Sequence, residues 1–123
     1  MKLSLLAAIL LAALALAACG GSQPPPTASQ LAHKIPGCHH FVTQTPSALA
    51  KAEVTCDAPG SGPLGSIEVA TFASMGKEVK WITRQGSQAT CCVEGHLWAA
   101  EYYLGANQFP RIMKALGGRQ VNG

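Results

Sequence analysis

The chain predicts an α+β fold, a single small domain in which an antiparallel sheet carries helices packed on one face. Three observations support this. "SIEVATF", Ser66 to Phe72, is a short run rich in β-branched residues and bounded by turn formers, the composition of a strand. "SMGKEVKWITRQ", Ser74 to Gln85, places Met75, Val79 and Ile82 at helical intervals. A second helical stretch, Phe109 to Leu116, turns Ile112, Met113 and Leu116 inward and ends at Gly117-Gly118. No internal repeat interrupts the series.

In chain order, Met1-Lys2 is a short basic start, and Leu3 to Ala18 is an apolar run broken only by Ser4. That run falls short of the roughly 18 residues needed to span a membrane, and it has the proportions of a secretory signal peptide. Its end, "LAAC" at Leu16 to Cys19, resembles the lipobox of bacterial lipoproteins. The resemblance implies cleavage before Cys19, attachment of a diacylglycerol to its sulfur, and anchorage on the extracytoplasmic face of the cell membrane. Ala15-Leu16-Ala17 also satisfies the A-x-A pattern of ordinary cleavage, so that alternative stands beside it. Residues 1–18 are thus expected to be a signal peptide. Residues 19–27, with Pro24 to Pro26, form a Gly/Pro-rich extended tether, residues 28–118 the domain, and residues 119–123 a C-terminal tail. Excluding the signal leaves 105 residues, enough for one domain and not two.

Within the domain, Thr27 or Ser29 can cap a first helix that runs to about Lys34 and stops at Pro36-Gly37. "AKAEVTCDA", Ala50 to Ala58, suits a strand with Val54 and Cys56 on one face. The loop that follows holds a literal G-x-G-x-x-G, Gly60 to Gly65. A phosphate cradle of that type needs a helix next, whereas a strand follows and Pro63 stands inside the loop, so it is a hairpin connection. Ser74 caps the central helix, Gly86 ends it, and Trp81 falls off the centre of its apolar stripe. Gln88 to Val93 and Leu97 to Tyr103 form two strands joined at Glu94-Gly95-His96, with a turn at Gly105-Ala106-Asn107.

The order "GC", "TCDAPG…SIEVATF", a Trp-containing helix and "VEGHLW" resembles small secreted lipoproteins of actinobacteria over most of Ser29 to Gly117. This implies a compartment and a fold, and no activity. Cys91-Cys92 departs from the pattern, where aliphatic residues are expected.

Composition excludes several functions. Setting Lys2 aside leaves eight Lys and Arg against six Asp and Glu, without a basic block, so there is no footprint of a nucleic-acid binder. The six acidic residues are scattered, and Glu68 and Glu101 read as solvent-facing strand positions. Ser61 and Ser66 lack the nucleophile-elbow pattern, and His96 reads as a polar turn residue. No catalytic residue and no cofactor is expected, and the chain reads as a non-enzyme.

The cysteines remain. An oxidising compartment favours a Cys38–Cys56 disulfide, although the four cysteines beyond Cys19 allow three pairings and sequence alone does not choose among them. In a regular strand Cys91 and Cys92 point to opposite faces and do not readily bond. Cys91 then packs as a small hydrophobe, and Cys92 lies on the more polar face. Three functions fit: a membrane-anchored binding or interaction domain with an envelope protein as a possible partner, a metal-handling lipoprotein, or a structural or envelope-stress component. The metal reading draws on Cys38, His39, His40, Cys91, Cys92 and His96, donors suited to copper(I) or zinc.

Overall fold

The computed structural model describes residues 23–60, 65–85, 91–104 and 107–121. The signal segment, Cys19, Gly86 and the Gly105-Ala106 turn lie outside the described residues. The elements, in chain order, are α1 (Ala28–His33), β1 (His39–Gln44), β2 (Ala52–Asp57), β3 (Ser66–Thr71), α2 (Met75–Gln85), β4 (Cys92–Gly95), β5 (Trp98–Tyr102), α3 (Phe109–Leu116) and β6 (Arg119–Val121). The strands form one antiparallel sheet in the order β1-β2-β3-β5-β4-β6, which makes the domain α+β as expected.

Local chemistry explains the starts and stops. Thr27 caps α1: its Oγ1 accepts from the Gln30 N–H at 3.1 Å, and Gln30 Oε1 accepts from the Thr27 N–H at 2.9 Å. The helix stops before Gly37, whose φ of 79° only glycine adopts readily. Ser74 Oγ accepts from the Lys77 N–H at the head of α2. The β2–β3 hairpin is paired along both strands, and the Ala58 N–H donates to the Gly65 carbonyl. The G-x-G-x-x-G loop therefore joins two strands.

The strands place alternate side chains on opposite faces, and both faces are covered. On the first, Val54, Cys56, Ile67, Val69, Val93 and Ala100 pack against Leu31 of α1 and Phe109 and Ile112 of α3. On the second, Ala70, Ala99 and Cys92 pack with Phe72 against Trp81 and Ile82 of α2. The expectation of helices on one face is thus refined to two helices on one face and one on the other. The reason is steric: alanines at 70 and 99, paired across β3 and β5, leave room for an indole.

That packing also rotates α2. Its buried side is Glu78, Trp81 and Ile82, while Met75 and Val79 are about half exposed. Trp81 stands at the centre of the buried stripe, because the largest apolar side chain gains most from burial. The β4–β5 turn is His96-Leu97, not Glu94-Gly95-His96. Gly95 remains in the ladder opposite Trp98, where a Cβ would overlap the indole. The expected C-terminal tail supplies β6, which pairs with β4, and Arg119 bridges to Glu94 at 2.7 Å.

Candidate functional site

The sequence placed Glu68 and Glu101 in solvent. The structure puts them directly opposite each other on β3 and β5, on the second face of the sheet, with Glu101 buried and Glu68 half-buried. Glu53 on β2 shares that face and is also buried. Its carboxylate is well supplied with donors: the Trp81 indole N–H at 3.1 Å, and the Ser47 hydroxyl and N–H at 3.0 and 3.3 Å.

Glu68 and Glu101 instead hydrogen-bond to one another. Two carboxyl groups can do this only if one keeps its proton. Burial, the hydrogen bond to Glu101 and the charges of Glu101 and Glu53 push the Glu68 carboxyl up to about 8, so Glu68 is the donor. Burial also raises Glu101, against hydrogen bonds from Glu68 and Tyr103 that favour its ionised form. The Tyr103 hydroxyl is pushed up to about 12 by its own partial burial and by Glu101. The result is a carboxyl pair in which Glu68 keeps its proton at neutral pH.

Beside this pair lies the largest departure from expectation. Cys91 and Cys92 are joined in a disulfide, with their α-carbons 3.7 Å apart. Strand alternation would have kept their sulfurs apart, but β4 begins only at Cys92 and Cys91 lies outside the ladder, so its side chain is free to turn. Both residues are buried, and Cys92 is not on a polar surface. Both sulfurs lie within 4.8 Å of the Glu101 carboxylate, and the Cys91 sulfur is 3.8 Å from the Ile82 carbonyl.

The second disulfide joins Cys38 to Cys56 across 18 residues and ties the end of α1 to β2. Together the two bridges dissolve the metal set drawn from sequence. Cys38 and Cys92 are both bonded to other sulfurs. His96 stands at the β4–β5 turn, three to four strand spacings from His39 and His40 on β1, or about 14–19 Å at 4.8 Å per spacing. His39 and His40 instead meet Asp57, a residue the metal reading had left out.

A pocket of about 160 Å³ opens at one end of the sheet. Pro25 and Pro26 of the tether line it with Ala52, Phe72, Leu97 and Trp98, so the tether's last residues lie against the domain. Leu97 takes a φ of 60° here, and its N–H donates to the buried Glu78 carboxylate at 3.1 Å. Burial raises Glu78 above the usual carboxylate range.

A scan against protein-family models finds no match, and neither the curated proteins nor the solved structures return one.

Proposed function

We propose that the protein is a lipoprotein anchored on the extracytoplasmic face of the membrane, whose folded domain is a non-catalytic binding or interaction module. Cysteine usage carries this reading. Of five cysteines, four close two disulfides, and the fifth, Cys19, stands alone at the end of the apolar leader in a lipobox-like setting. Paired cysteines persist in oxidising compartments, and a cysteine bearing two or more acyl chains is a stable anchor. Among the described residues no helix is long and apolar enough to cross a membrane.

The apolar pocket supports the binding module, because it is concave and is lined in part by Pro25 and Pro26 of the tether. The Glu68–Glu101 pair fits a structural role better than acid–base chemistry. Its partners are the protein's own side chains, and the four domain cysteines are tied up in bridges.

Intact mass of the membrane-extracted protein, before and after reduction, tests the proposal. The expected mass is that of a chain cut before Cys19 and carrying acyl groups, and reduction adds the hydrogens of two disulfides. Cys19→Ala should leave an uncut precursor or a released domain. Wild-type protein that is wholly soluble with an unmodified Cys19 would sink the lipoprotein reading.

A further inference from the structure

The first strand begins with two adjacent histidines, His39 and His40. In a regular strand their rings would point to opposite faces. Here the register shifts between His39 and Val42, and His40 adopts a φ of 52°, unusual for a residue with a side chain. The two breaks in regularity bring the imidazoles together, with ring centroids 4.8 Å apart and planes tilted by 58°.

Each ring is also set in one tautomer. His39 Nδ1 lies 3.0 Å from the Gly37 carbonyl oxygen, which can only accept, so Nδ1 carries the proton. His40 Nδ1 lies 2.8 Å from Asp57 Oδ2 and donates to that carboxylate. In the neutral rings this leaves both Nε2 lone pairs free for a ligand role. A carboxylate or carbonyl behind a histidine is the arrangement that orients imidazole ligands on metal ions. The Cys38–Cys56 bridge reinforces it, because each of its cysteines is next in sequence to a member of the group. His39, His40 and Asp57 each offer a ligand atom, one ring nitrogen counting for each histidine, within 4.8 Å of the others. Two nitrogens on one ion at about 2.0–2.1 Å lie at most about 4.2 Å apart, so the two exposed rings must turn on binding until their Nε2 atoms come within that distance.

We propose that His39 and His40 bind a divalent transition-metal ion through their Nε2 atoms, with Asp57 as the positioning residue that orients His40. Imidazole donors suit copper(II), nickel(II) and zinc(II), and copper(II) binds tightest of the series. The site needs no thiolate and no reduction, and it does not depend on the lipid anchor. It differs from the sulfur-rich set suggested by sequence in both its donors and its preferred ion.

The test is a copper(II) titration of the untagged full chain in detergent, with disulfides intact and any free Cys19 thiol alkylated, read by electron paramagnetic resonance. One equivalent should bind with the signature of two imidazole nitrogens. His39→Gln and His40→Asn should each remove one nitrogen from that signature, and asparagine tolerates the positive φ at position 40. Asp57→Asn should weaken binding by about 10–100-fold while both nitrogens remain. His33→Gln and His96→Gln should change nothing. Absence of stoichiometric binding would overturn the proposal. So would a two-nitrogen signal that survives the His39→Gln, His40→Asn double variant, or one lost on changing His33 or His96.

Discussion

The two faces of the sheet solve burial differently. The first is lined with aliphatic and aromatic side chains from β2, β3, β4 and β5 and closed by α1 and α3, with the Cys38–Cys56 bridge tying its edge. The second buries carboxyl groups beside alanines, a tryptophan and a disulfide between neighbours. Apolar volume alone accounts for the first face. The second depends on a proton retained by Glu68 and on the donors that Trp81 and Ser47 give to Glu53. Polar groups are buried at no great cost only when each finds a partner.

The sharpest way to break the first face is Phe109→Ala. Phe109 is fully buried between α3 and the sheet, so its truncation should cost about 3–5 kcal/mol in denaturant unfolding. The loss should be the same at pH 5 and pH 8. A cost well under this would mean that α3 contributes little to the core.

The disulfides distinguish the faces next. Replacing Cys38 and Cys56 with alanine frees an 18-residue separation and should cost about 3 kcal/mol in the chain-entropy picture. The same change at Cys91 and Cys92 releases no intervening chain and should cost less. If the two double variants melt together, the entropic account of the first bridge is wrong.

The smallest effect is on the second face and depends on pH. Glu68 holds its proton more tightly in the folded chain, rising from an ordinary 4.5 to about 8. The folded state therefore binds more protons between these values. Its contribution is complete below about pH 4.5 and is lost as the pH climbs through about 8. Glu68→Gln, which keeps a hydrogen-bond donor and cannot ionise, should flatten this decline and raise the melting temperature chiefly at pH 8. A variant with the slope of the parent would place the proton elsewhere.

Elements with strong periodicity or strand composition were legible in the sequence: β3, α3 and the extent of α2 follow the expected bounds closely. β1 was not, because "HHFVTQ" is an edge strand whose side chains are largely exposed and show no alternation. β6 is three mostly exposed residues, stabilised by pairing to β4 rather than by its own composition. The carboxyl face was half legible. Alternation puts Glu53 and Glu68 opposite Val54 and Ile67, but burying them requires knowing that α2 crosses to that face. Ala70 and Ala99 were the available signal, small residues where a large one elsewhere must fit. The Cys91–Cys92 bond was hidden because it depends on where β4 starts, and strand ends are set by neighbours more than by local sequence.

Trp98 lies between two glycines from distant parts of the chain. A Cβ at Gly95 would overlap its indole, and one at Gly118 would press on both the indole and the Glu94 carbonyl. Positions 95, 98 and 118 therefore form one mutational unit, in which the fitness of any residue depends on the other two. Among diverging descendants of this chain, alanine at 95 is expected only where the residue at 98 has already become smaller. At 118 the relief would be partial, since the carbonyl remains and the φ of 82° still favours glycine. The order of substitution is thereby constrained: the tryptophan must go first.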